Sequence, residues 1–165
     1  MKVVGCFFGF LLLLALNCEA MNNKTELFEQ YLRVLQKMRS MHPSQLAQLT
    51  ESRLYRHLDF ATNSKEEYLR RKNYRDVEPY INKSGIKFTR EQALIEEWKD
   101  NCQGMKWKES LCELHHIIPR GYGGENVWWN IFPLTFNNHR KKGQGIHSNI
   151  IYKALFPKVV GKEQQ

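Results

Sequence analysis

Four of the six histidines of this 165-residue chain fall between Leu111 and Ser148, in the stretch LCELHHIIPRGYGGENVWWNIFPLTFNNHRKKGQGIHS. His115 and His116 are adjacent, and His147 follows His139 by eight positions. Neutral imidazoles ligate zinc and similar divalent ions, and an imidazole outside such an ion's shell can move protons near neutral pH. Cores take imidazoles singly, so four in one short stretch point to chemistry. On a strand, adjacent side chains leave opposite faces. His115 can therefore approach an ion while His116 faces a substrate. His42 and His57 stand among helical segments and read as structural or surface residues.

The elements that must position this cluster begin past Asp100, where glycines, aromatics and β-branched residues replace helical periodicity. CELHHII reads as a strand, PRGYGGEN as a turn with two consecutive glycines, and WWNIFPLT as the returning strand. Thr135 is an N-cap for a helix FNNHRKK, which Gly143 would end in a left-handed conformation. Strand, loop, strand and short helix make a ββα unit, with NIIYKALF as a further short helix behind it. His139 lies one turn into the first of these helices, within reach of His115. Arg140, Lys141 and Lys142 either hold phosphates or form a solvated face. Trp128 and Trp129 either stack on bases or fill the hairpin core.

The rest of the chain sets the context. Lys2, the apolar run Val3 to Leu16 and a small-residue site at Ala20 read as a cleavable signal peptide, residues 1–20. The run is shorter than the roughly 20 residues of a membrane span. The mature chain is therefore expected to be secreted, or periplasmic in a bacterium, without inserting stably in a membrane; a retained anchor is the alternative. Cleavage leaves Cys102 and Cys112, which in an oxidising compartment suggest one disulfide. Two reduced thiols or a zinc pair are the other readings. Residues 21–100 read as a helical region. Leu27, Phe28, Tyr31, Leu32, Leu35, Met38 and Met41 mark one buried stripe, and Pro43 opens a second helix with Leu46, Leu49, Leu54 and Leu58. SKEE at Ser64 to Glu67 opens a third, NKSG at Asn82 to Gly85 breaks the chain, and TREQ at Thr89 to Gln92 starts a fourth with Leu94, Ile95 and Trp98 inward. The net charge of +8 favours a polyanionic partner such as nucleic acid or an anionic membrane surface.

The stretch ELHHIIPRGYGGENVWWNIFPLTFNNH resembles the HNH nuclease motif, in the form found in colicin-type DNases and related bacterial toxin domains. The resemblance implies an α+β fold, mostly helical at first and ending in a ββα-metal unit over residues 101–165. It implies a secreted endonuclease that uses one divalent ion (zinc, magnesium, manganese or nickel) and cleaves DNA, most readily the double strand, with little sequence preference. His115 and His139 would be ligands and His116 the general base. Asn130 would brace the loop, and Glu113 would position a phosphate-contacting arginine that the sequence does not identify. Arg120, Arg140, Lys141 and Lys142 are the candidates for nucleic-acid contact. In a bacterial toxin an acidic immunity protein would be a partner. The chain departs from the pattern at the third ligand, which there follows the second by four residues. His147 follows His139 by eight. On one helix that is a rise of about 12 Å, so it can share the ion only if Gly143 and Gly145 fold the chain back. RNA as substrate, or a non-catalytic secreted zinc-binding module, are the competing functions.

Overall fold

A computed structural model describes residues 23–38, 41–51, 76–108 and 111–157. The expected signal peptide, the extension of the second helix through Leu54 and Leu58, and the third helix at Ser64 to Glu67 lie outside the described residues. Among the described residues, no helix is long and apolar enough to cross a membrane.

The architecture is α+β, a helical N-terminal part followed by strands. Helix α1 covers residues 23–38 and buries Phe28, Tyr31, Leu32 and Leu35, the stripe expected from their spacing. Helix α2, Pro43–Glu51, starts on the proline that cannot donate within a helix, and buries Gln45 and Leu49. The break at Asn82 to Gly85 is the turn of a small hairpin, β1 Tyr80–Ile81 and β2 Lys87–Phe88. The Asn82 side-chain oxygen accepts from the Ser84 and Ile86 N–H groups at 3.0 and 2.9 Å, which closes it. Helix α3, Arg90–Asn101, turns Ala93, Leu94, Ile95 and Trp98 inward.

The second sheet carries the histidines. β3, Cys112–His116, pairs antiparallel with β4, Ile131–Thr135, with His115 opposite Phe132 and His116 opposite Ile131. Pro133, which has no N–H to donate, is tolerated because each strand of a two-stranded sheet keeps one edge unpaired. The period of two divides the packing. Phe132 and Leu134 join α1, α2 and Tyr152, Leu155 and Phe156 in one cluster. Ile131 joins Trp98, Trp107 and the α3 stripe in another, with Leu114 and Cys112 packed against it. Trp129 packs on the first cluster and Trp128 on the second, so both tryptophans fill the hairpin's surroundings. They form a 3-10 turn with Asn130, where a longer strand was expected.

The loop between the strands is clamped by Asn130, which is fully buried. Its Oδ1 accepts from the Ile118 N–H at 2.9 Å, and its Nδ2 donates to the carbonyls of Ile118 (3.1 Å) and Glu125 (2.9 Å). One amide thereby satisfies three loop groups that the ladder leaves over. The clamp requires the second glycine of the pair, since a Cβ on Gly124 would sit 1.8 Å from the Ile118 carbonyl oxygen and 2.9 Å from Asn130 Nδ2.

One expectation is corrected here. No disulfide joins Cys102 and Cys112. Cys102 caps α3, its N–H donating to the Trp98 carbonyl, and is buried in the tryptophan cluster. Cys112 is held by the ladder opposite Thr135. Each residue is placed by its own element, and both contribute apolar packing.

Gly124→Ala should lower the melting temperature by about 10 °C or more, because the added methyl meets backbone that cannot rotate away. Differential scanning calorimetry checks this. A melting temperature within about 2 °C of wild type would mean that the loop is not held as described.

Candidate metal centre and active site

His115, His139 and His147 converge. Their ligand-capable atoms all lie within 4.8 Å of one another. The ring centroids are 4.9 Å apart for His115 and His139, 5.4 Å for His115 and His147, and 4.8 Å for His139 and His147. Each arrives by a different route. The pleat of β3 turns His115 toward the first cluster, beside Tyr31 of α1, whose hydroxyl lies 2.7 Å from His115 Nε2.

His139 ends helix α4, Phe136–His139, a single turn capped by Thr135. Its Nδ1 donates to Glu113 Oε2 at 2.8 Å. A carboxylate can only accept, so the lone pair of His139 sits on Nε2, the nitrogen open to an ion. Glu113 stands two positions before His115 and shares its face of the strand.

His147 lies in a 3-10 turn, Ile146–Ser148, and reaches the other two because α4 is shorter than expected. Gly143 is left-handed, with φ of 78°. A Cβ on Gly145 would lie 2.5 Å from the His139 carbonyl oxygen, so the returning chain passes where only glycine fits. Helix α5, Ile150–Leu155, is capped by Asn149 and lays Tyr152 against His147, centroids 4.8 Å apart.

Burial dominates the electrostatics. It pushes His115 well below the ordinary histidine value, with the neighbouring imidazoles adding to the effect. His147, though partly exposed at the surface, is lowered to about 4 by desolvation from its packing and by His139 and Arg140. His139 is lowered by burial against the opposing pull of Glu113. All three rings are therefore neutral at pH 7, the form that ligates. Three neutral imidazoles with one tautomer already set by a carboxylate can hold a divalent metal ion, and the described residues fit that role.

His116 lies on the other side of the strand and outside this cluster. Its Nε2 is 2.9 Å from Asn126 Oδ1, and burial pushes its pKa down to about 4 rather than leaving it near the ordinary value. Arg140 Nε lies 3.0 Å from Glu113 Oε2 with most of its side chain exposed. Lys141 and Lys142 are exposed beside it. Arg120, expected at the nucleic-acid surface, is instead buried, its guanidinium turned to Asp76 at 3.4 Å. The loop preceding it folds under Asn130, which carries its side chain inward. Sequence reasoning also missed Tyr31, Asp76 and Asn126 as partners of the histidines. Tyr31 was legible only as a stripe residue, and nothing local marked the other two.

The chain is similar to two named proteins. It is 32% identical over 111 residues to Toxin YxiD of Bacillus subtilis, covering 53% of this chain and 19% of that protein. It is 44% identical over 48 residues to the Probable deoxyribonuclease RhsB of Dickeya dadantii, covering 27% of this chain and 3% of that protein. The chain thus spans a fifth or less of the length of either relative. No family model and no solved structure matches it.

Two outcomes are expected. Glu113→Ala should weaken zinc affinity by about 10- to 100-fold, measured by calorimetric titration, because His139 loses the carboxylate that fixes its tautomer. Affinity equal to wild type would exclude that role. Second, the depressed histidines make the metal-free protein less stable in acid. The unfolded chain protonates below about 6.5, while His116 and His147 resist protonation until about 4. Their contribution is complete above pH 6.5 and is lost as pH falls toward 4. The melting temperature should rise across that window and level off above it, with a smaller rise in His116→Gln. An equal rise in that variant would exclude His116 as a cause.

Proposed function

We propose that this chain is a metal-dependent endonuclease of the HNH type that hydrolyses DNA phosphodiesters with little sequence preference. The observation that carries this reading is the division of labour across one strand. His115 meets His139 and His147 in a neutral three-imidazole cluster, while His116 stands on the opposite face. The similarity to a named toxin and to a probable deoxyribonuclease favours the same substrate class.

His115, His139 and His147 would hold the ion, which when bound supplies positive charge to the phosphate and the leaving oxygen. Nitrogen donors suit zinc or nickel better than magnesium, which prefers oxygen. His116, neutral at pH 7, accepts a proton from the water that attacks phosphorus. The water oxygen bonds to phosphorus, the bond to the leaving oxygen breaks, and that oxygen is protonated from solvent. Burial makes His116 a weak base, so its placement matters more than its basicity. Arg140, oriented by Glu113 through Nε, has its terminal nitrogens left for a phosphate oxygen. Lys141 and Lys142 extend the positive surface without reading bases. Asn130 braces the loop and touches no reacting atom. A toxin role would add delivery outside the producing cell and an acidic immunity protein against the basic face.

The mature protein should nick supercoiled plasmid in zinc, nickel or manganese, and EDTA should abolish the activity. His116→Ala should lose about 100-fold or more in kcat while keeping its metal. Full activity in that variant would remove His116 from the reaction. Zinc binding with no cleavage in any metal would leave a binding module, and faster digestion of RNA than DNA would change the substrate.

A further inference from the structure

Asn126 and Asp76 lie outside the metal cluster and form a chain of hydrogen bonds that ends on His116. Asn126 is buried in the loop between the strands, its Oδ1 2.9 Å from His116 Nε2 and its Nδ2 donating to Asp76 Oδ1 at 2.7 Å. The Asp76 carboxylate is also approached by the buried Arg120 guanidinium, NH2 at 3.4 and 3.5 Å from its two oxygens. Elementary chemistry fixes the direction of every bond in this chain. An ionised carboxylate can only accept, so the amide nitrogen of Asn126 must face Asp76. The amide oxygen must then face His116, and an amide oxygen also only accepts. His116 therefore carries its proton on Nε2, and Nδ1 keeps the lone pair.

We propose that Asp76 and Asn126 are positioning residues that hold His116 as the Nε2–H tautomer and present Nδ1 as the atom that takes the proton from water. The proposal rests on the nuclease reading of the site. Without an anchor the ring could turn over or change tautomer, and a base with its lone pair facing the loop accepts nothing. Asn126 alone would leave the amide able to flip. The negative charge of Asp76 removes that freedom, because a flipped amide would set its oxygen against a carboxylate. The charge also polarises the amide and strengthens the bond it accepts from the imidazole. Arg120 accounts for its own burial here, since it holds the Asp76 carboxylate in place across 44 positions of sequence.

The test uses the full mature chain, metal-free and labelled with 15N in histidine. Long-range 15N–1H correlation at pH 7.5 should show His116 protonated on Nε2 and bare on Nδ1. Asn126→Ala should show a tautomer mixture and lose about tenfold or more in kcat on plasmid, with KM and zinc affinity unchanged. Asp76→Asn, which keeps an acceptor oxygen, should lose less than Asp76→Ala. A wild-type His116 protonated on Nδ1, or wild-type kcat in Asn126→Ala, overturns the proposal. The wild-type spectrum decides even if a variant does not fold. A wild type that cleaves nothing in any metal overturns the nuclease reading, a result separate from the tautomer.

Discussion

The pleat of a β-strand sends neighbouring side chains to opposite faces, and this chain uses that constraint at His115 and His116. One imidazole enters the cluster with His139 and His147, and the next faces Asn126. A shift of register by one residue would exchange them, turning the base candidate into the cluster and Glu113 away from His139. The register is held by what lies on the two faces of β4. Phe132 belongs to the cluster of α1, α2 and α5, and Ile131 to that of α3. Neither can move to the other side without emptying a core position, so core packing enforces the placement of the two histidines.

The return of the chain after α4 follows from a second constraint. Eight residues of helix would carry His147 about 12 Å away from His139. The helix instead stops at His139, and the next segment doubles back with Gly145 against the His139 carbonyl. Gly145 N–H donates to the Lys141 carbonyl at 2.7 Å, and Ser148 Oγ accepts from Gly143 N–H at 3.0 Å. These bonds make the loop a fixed spacer. His139 and His147 are thereby brought together from a helix end and a turn.

Much of this was legible because it is local. The α1 stripe, the Thr135 cap, the left-handed Gly143 and the strand pair around a glycine-rich loop each follow from residues a few positions apart. The meeting of His115 with His139 followed from topology, since the helix after the second strand must pack near the first. What escaped notice involves long separations or small hydrophobic content. The β1–β2 hairpin has only two residues per strand, too few for any periodicity to mark it. Arg120 and Arg140 look alike in sequence, yet one pairs inward with Asp76 and the other outward beside Glu113. Only the path of the loop separates them. The cysteines suggested a covalent bond by compartment and spacing, whereas their placement is governed by a helix cap and a ladder.

The N-terminal helices follow from the same physics and are more than a cover. Tyr31 is fully buried in the shared cluster and touches His115, while Gln45 donates to the carbonyls of Trp129 and Ile131 where β4 begins. Burial raises the Tyr31 pKa well above the ordinary value, so the hydroxyl keeps its proton and can either donate or accept. It therefore does not choose a tautomer for His115 in the way that Glu113 does for His139. So long as it holds Nε2, however, an ion must use Nδ1, and the hydroxyl must then accept the Nε2 proton. Binding at the cluster would fix the direction of a bond to α1. Whatever binds only the folded arrangement stabilises it in proportion to its affinity. Were an ion held by the histidine cluster, its binding and the docking of α1 would be linked through this one hydroxyl.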